Sequence, residues 1–216
     1  MFHEINPAEW ARAQTFYYFS KMAPTSYSMT VSVDVTHLLQ VRKQYGFKFF
    51  PAYLWLVTKN LNAQAEFKIA EQDGKVGYFD TLTPFYATWH ADTEVFSMMW
   101  TEYNDSFAEF EHNYIDNQNK YGDVRGFLSQ PQTPPANAYT VSEIPWVDFE
   151  HFAVHSHNAQ PYYFPSVEAG KITVDGNGRS KMPLSLTCHH ATTDGWHIKK
   201  FLDSLQSDID SFEKYL

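Results

Sequence analysis

The chain has 216 residues, 44% hydrophobic and 18% aromatic, which is apolar material for one substantial core and, at this length, for one domain over 1–216. Sixteen Lys and Arg against 25 Asp and Glu give a formal charge of -9, which repels a nucleic-acid backbone; the single cysteine, Cys188, excludes an intrachain disulfide and a multi-cysteine metal or iron–sulfur site and fits a reducing, cytoplasmic setting. The opening MFHEINPAEW lacks the basic and apolar regions of a secretory signal, and no apolar run approaches the ~20 residues that cross a bilayer, so no membrane partner is expected.

Met29, Val31, Val33 and Val35 alternate with Thr30, Ser32 and Asp34, the two-residue period of a strand with one buried face. Thr36 offers a hydroxyl cap to a following helix that carries Leu38, Leu39 and Val41, and Gly46 supplies its left-handed stop. A second, largely buried helix is predicted from near Pro51 through Leu54, Val57 and Leu61, because proline loses nothing in a first turn. Between Phe67 and Phe79 two apolar runs flank Gln72-Asp73-Gly74-Lys75, whose Asp-Gly pair suits the positive backbone angles of a tight hairpin. Strands follow over 85–89 and 95–100, then a helix with Phe107, Phe110 and Tyr114 on one side. The stretch 122–137, with Ser129, Pro131, Pro134 and Pro135, reads as a long surface loop. Strands resume over 138–144, 162–167 and 184–188, with Asp175-Gly176-Asn177-Gly178 as an exposed turn. From Trp196 a terminal helix places Ile198, Phe201, Leu202, Leu205, Ile209 and Phe212 on one face, which packs on the sheet. Internal repeats, a phosphate-loop signature and a dinucleotide-type glycine fingerprint are all absent from the sequence.

The chemically dense segment is His189-His190-Ala191-Thr192-Thr193-Asp194-Gly195-Trp196-His197, at the junction between the strand over 184–188 and the terminal helix. Three imidazoles and a carboxylate so close together need partners, since a buried polar group without one is costly. A neutral imidazole there can act as a general base on a hydroxyl or thiol at physiological pH. His190 and Asp194 can equally share a helical face as metal ligands, with a third ligand from elsewhere. In a purely structural arrangement Asp194 caps the helix and the histidines bond to backbone groups. Spacing alone leaves these three open.

Read as His-His-Ala-x-x-Asp-Gly-aromatic-His, the segment resembles the active-site signature of the chloramphenicol acetyltransferase family, a branch of the CoA-dependent acyltransferases. Further segments occur in the family's order: Trp10-Ala11-Arg12, Lys48-Phe49-Phe50-Pro51-Ala52, Glu66-Phe67-Lys68-Ile69-Ala70, Thr93-Glu94-Val95-Phe96-Ser97, Ile144-Pro145-Trp146-Val147 and Met182-Pro183-Leu184. The shorter His-His-x-x-x-Asp-Gly core is also similar to dihydrolipoyl acyltransferases and peptide-synthetase condensation domains, but the flanking segments and the length favour the antibiotic acetyltransferase branch. An unrelated family of the same activity is built from hexapeptide repeats, and those are absent.

The resemblance implies an α/β fold, a mixed β-sheet packed by helices, and an enzyme that moves the acetyl group of acetyl-CoA to a hydroxyl of chloramphenicol without a metal. It implies a homotrimer with active sites between subunits and a small-molecule acceptor. His190 matches the family's general base and Ser142 the serine that donates a hydrogen bond to the tetrahedral oxyanion. Asp194 matches a carboxylate that pairs with an arginine, here Arg12, in a structural role, and His189 and His197 shape the junction. Lys48 and Lys171 fall where the family has lysines near the coenzyme. Tyr27 and Phe96 match positions that line the acceptor pocket. Three positions depart from the pattern: Phe19 stands for a pocket tyrosine, Glu168 for a pocket threonine, and Thr193 for a motif cysteine. A carboxylate in place of a hydroxyl changes charge as well as size, so the alternatives are the same chemistry on another small hydroxyl- or amine-bearing acceptor, or a catalytically silent ligand-binding homologue.

Overall fold

In the computed structural model, which describes residues 1–155 and 162–216, the strands fall into a small and a large sheet. The chain enters through β1 (Phe2–Glu4) and a short helix α1 (Ala13–Tyr17), which widens into one further turn over Tyr18–Met22 before β2 (Ser26–Asp34). Helix α2 (Thr36–Tyr45) is capped differently from the sequence expectation. Asp34 Oδ1 accepts from the Thr36 amide at 3.0 Å and from its hydroxyl at 2.6 Å, while Thr36 Oγ1 accepts from the Ser180 amide at 2.8 Å. A carboxylate is the stronger acceptor for a free first-turn N–H, and it leaves the hydroxyl to tie the helix to the neighbouring strand. Gly46, at φ 82°, ends the helix as expected.

Helix α3 (Phe49–Asn62) is buried without interruption from Pro51 to Thr58, a helix enclosed by protein on all sides. β3 (Ile69–Gln72) and β4 (Lys75–Phe79) form the hairpin, with Asp73 at φ 53° and Gly74 at φ 75° as its two-residue turn requires. Phe67 lies in a 3₁₀ turn ahead of it, and β1 joins the outer edge of β4 to complete the small sheet.

The large sheet is built from β2, β5 (Thr83–His90), β6 (Val95–Trp100), β7 (Ala138–Ile144), β8 (Ser166–Gly170) and β10 (Ser180–His189), in the order β2-β10-β8-β7-β5-β6. The two-residue β9 (Thr173–Val174) pairs with the start of β10. β7 runs parallel to both β5 and β8, and the other pairs are antiparallel, so the sheet is mixed. Helix α4 (Phe107–Tyr121) starts on a Ser106 cap, and α5 (Gly195–Ile209) follows β10. β8 begins later than the sequence suggests, because Tyr163 and Phe164 are buried through ring contacts with Phe16, His189 and Phe79, not through a ladder. The last helix also stops at Ile209, and Phe212 reaches the core from a separate 3₁₀ turn, against Phe47, Trp55 and Phe107.

Strand alternation divides the large sheet into two unlike faces. Val141, Val167, Ala169, Leu184, Leu186 and Cys188 enter the main core together with α3 and α5. Their alternates, on the opposite face, form a polar row in direct register: Thr30 opposite Ser185, Ser185 opposite Glu168, and Glu168 opposite Ser142. The segment through Phe152 and Val154 lies over the β2–β10 part of this row, bonded to Thr30, Ser185 and Thr187. The loop over 122–137 lies along β6, where Met98 bonds to Phe127 and Ser129, and so covers a sheet edge that would otherwise be unpaired.

Candidate active site

β10 ends at His189, and the chain turns through 190–194 into α5. Arg12, just ahead of α1, holds this turn in place. Its Nε donates to the Ala191 carbonyl at 2.9 Å, Nη2 to the His190 carbonyl at 3.0 Å and Nη1 to Asp194 Oδ2 at 2.9 Å. Burial alone would raise the Asp194 carboxyl, but the Arg12 guanidinium, the His197 ring and the Trp196 amide together outweigh it and hold the group below the usual carboxylate range. The other oxygen, Oδ1, accepts from the Trp196 amide at 3.0 Å and caps α5. One carboxylate therefore combines the ion pair and the helix cap, and it fixes where the helix starts relative to the strand.

His190 is held at both its backbone and its ring. Its amide donates to the Thr25 carbonyl at 2.8 Å, and its Nδ1 lies 3.0 Å from the Thr193 carbonyl. A carbonyl oxygen only accepts, so Nδ1 carries the ring proton and the neutral imidazole presents its lone pair at Nε2. Phe19 stacks on the ring at 4.1 Å and 28°, and Tyr27 meets it edge-on at 5.2 Å and 69°. Burial pushes the Tyr27 hydroxyl up to about 12, so it stays neutral and donates to Thr193 Oγ1 at 3.3 Å. His189 accepts the Ala191 amide at Nδ1 and packs edge-on against Tyr163, and burial lowers its pKa. His197 closes the capping box, its Nδ1 3.2 Å from the Asp194 amide.

The remaining site residues lie elsewhere. Ser142, Glu168 and Phe96 share the sheet face opposite the main core, with Ser142 and Glu168 directly paired. From Ser142 the register crosses β8 to reach Ser185 on β10, five residues before His190; at strand spacings this separates the two side chains by roughly 15–20 Å within one chain. Lys48 and Lys171 are exposed, the first immediately before α3 and the second just past β8, at the sheet end away from His190. One chain thus assembles Arg12, Phe19, Tyr27, His190 and Asp194 at one place and Phe96, Ser142 and Glu168 at another. Sequence reasoning missed the two carbonyls that hold His190, those of Thr25 and Thr193; main-chain groups leave no side-chain signal. Among the described residues no group of three His, Cys, Asp or Glu side chains is placed to hold a metal ion.

The mixed sheet, with a histidine just past the end of its longest strand, is the fold shared with solved CoA-dependent acyltransferases. A solved structure titled chloramphenicol acetyltransferase superposes with a TM-score of 0.83 at 23% identity, covering 97% of this chain and 100% of that one. A probable dihydrolipoamide acetyltransferase from Listeria monocytogenes does so at 0.64 and 18% identity, covering 99% and 94%. The chain belongs to the chloramphenicol acetyltransferase family, whose model matches residues 1–206. Relatives named chloramphenicol acetyltransferase include one from Clostridium perfringens, 36% identical over 217 residues and covering 100% of this chain and 98% of that protein. Another, from Campylobacter coli, is 37% identical over 206 residues, covering 95% and 97%.

Proposed function

We propose that this chain, folded as one domain, is a cytoplasmic enzyme that transfers the acetyl group of acetyl-CoA to a hydroxyl of chloramphenicol, with His190 as general base. The observation that carries the assignment is the Nδ1 bond to the Thr193 carbonyl, which leaves Nε2 as the basic nitrogen at the mouth of an aromatic stack. His190 Nε2 takes the acceptor's hydroxyl proton as that oxygen attacks the thioester carbonyl. Ser142 donates a hydrogen bond to the oxygen that becomes negative, and His190 returns the proton to the departing thiolate. A positioned base contributes about 10²- to 10⁴-fold in rate and an oxyanion donor about 10²- to 10³-fold. Lys48 and Lys171, exposed cations on an acidic chain, serve the coenzyme phosphates.

The separation of His190 from Ser142 supports a site completed by a second copy, in a homotrimer whose subunits each meet the next. Trp89, Phe96 and Trp146 support the same reading, being 46%, 50% and 60% exposed, because large aromatics left open on a single chain mark a contact surface. A head-to-tail interface of this kind closes into a ring. The buried thiol of Cys188 is compatible with a reducing compartment.

Release of CoA thiol from acetyl-CoA, measured with and without chloramphenicol, tests the proposal. Acceptor-dependent release that disappears in His190→Ala while the variant stays folded is the expected result. Release that persists in His190→Ala refutes the base, and release without an acceptor makes the protein a hydrolase. A second reading, the same transfer to a different small alcohol or amine, is favoured by Glu168.

A further inference from the structure

Glu168 is an unusual residue to find on this sheet face. Its side chain is buried, the residue being 1% exposed, and Oε1 accepts from Ser166. Oε2 has no hydrogen-bond partner among the described residues. A carboxylate oxygen sealed from water without a donor is costly, and such groups persist where a ligand or a reaction uses them. The surroundings show which way a donor could approach. Toward β10, Ser185 is bonded to the Phe152 carbonyl under the covering segment. Toward β7 the next residue in register is Ser142, half-buried; beyond it on the same face Ala87 is half-buried and Met98 buried, and two residues further along those strands Trp89 and Phe96 are exposed. The face therefore forms a floor that is open and aromatic at one end and ends at a carboxyl on the other, about 15 Å across at strand spacing. Ser142, the proposed oxyanion donor, stands between.

We propose that Glu168 selects the acceptor: its free oxygen receives an ammonium or comparably strong donor carried close to the reacting hydroxyl, so the preferred substrates are small aryl amino alcohols. This inference rests on the acetyl-transfer reading and adds the substrate class. The aromatic end of the floor takes the ring, the hydroxyl lies by Ser142, and the cation offsets the desolvation of the carboxyl. Burial pushes Glu168 up to about 7, against the smaller opposing effect of the Ser166 hydrogen bond, and a cation there favours the ionised form.

The test compares two ligands that share a skeleton, chloramphenicol and its free-amine parent, 2-amino-1-(4-nitrophenyl)propane-1,3-diol. Their affinities are measured by calorimetry on the intact oligomer without acetyl-CoA, in the natural protein, Glu168→Gln and Glu168→Thr. Because the readout is the ratio of two affinities in each protein, a general loss of folded protein cancels. The ratio is expected to fall about tenfold or more against the amine in both variants, the equivalent of about 1.4 kcal/mol. An unchanged ratio overturns the inference, as does a natural protein that binds neither ligand. Thiol release assayed on the same samples separates the two readings. A ratio that follows Glu168 without any turnover overturns acetyl transfer and keeps the ligand assignment, whereas turnover with an unmoved ratio overturns the ligand assignment alone.

Discussion

Through one nitrogen of its guanidinium stem and both terminal nitrogens, Arg12 binds two successive carbonyls and a carboxylate. That planar fork is what a lysine ammonium cannot reproduce, because a point charge has no fixed set of divergent donors. Asp194 keeps a side-chain exposure of 38% against 16% for Arg12, so the pair's value lies more in geometry than in Coulomb energy screened by water. Spacing located this junction in the sequence and left open whether Asp194 would cap a helix or ligate a metal, while the family resemblance implied its pairing with Arg12. The structure gives it the cap and the pairing, one on each oxygen. Glu168 is the residue whose chemistry reaches the measurable stability of the fold. Its carboxyl is raised from 4.5 to about 7 by burial, so the folded protein holds a proton that the unfolded chain has already released across that interval. The unfolding free energy contributed by this group is therefore present below pH 4.5, decreases as pH rises through the interval and is lost above about 7. Urea midpoints of the natural protein should fall between pH 5 and 8 relative to those of Glu168→Gln, whose profile should be flatter; parallel profiles would show that the carboxyl is not raised.

At the level of elements, the devices that end helices here are local and can be perturbed singly. Gly46 stops α2 at φ 82° with open space where a Cβ would stand, so the cost of a side chain there is backbone strain alone. Gly46→Ala should lower stability by about 1 kcal/mol, read from the urea midpoint, and it should leave acetyl transfer unchanged; a neutral result would mean that the left-handed residue is not needed. Gly46 was legible because its signal is intrinsic to the residue, as was the Asp73-Gly74 turn. The strands read from alternation were legible for a similar reason. β1 was not, since three residues carry no period, and the aromatic run before β8 misled because Tyr163 and Phe164 are buried by rings from distant segments. The cap of α2 misled in a different way: two side chains at the junction could each accept, and the charged one took the helix amide. The same limit applies to the candidate site. Alternation along β7 and β8 marks Ser142 and Glu168 as sharing a face once the pairing is known, but pairing of strands remote in sequence is not written in either strand.

For the molecule as a whole, the two groups of site residues set a rule for mixtures. In the homotrimer proposed above, each complete site takes His190 from one subunit and Ser142 from the next, in a closed ring with one direction around it. His190→Ala and Ser142→Ala chains are each defective, but a ring that contains both always has a single junction at which an intact histidine meets an intact serine. When the two variants are denatured together in equal amounts and refolded, each junction has one chance in four of being of that kind, so about a quarter of normal activity should return from two preparations that are nearly inert alone. Activity that stays at the level of the separate variants would place both residues in the same subunit's site. In such a ring the roughly 15–20 Å that the strand register sets between Ser142 and His190 has a genetic meaning: two copies of this gene broken at different residues can complement each other in one cell.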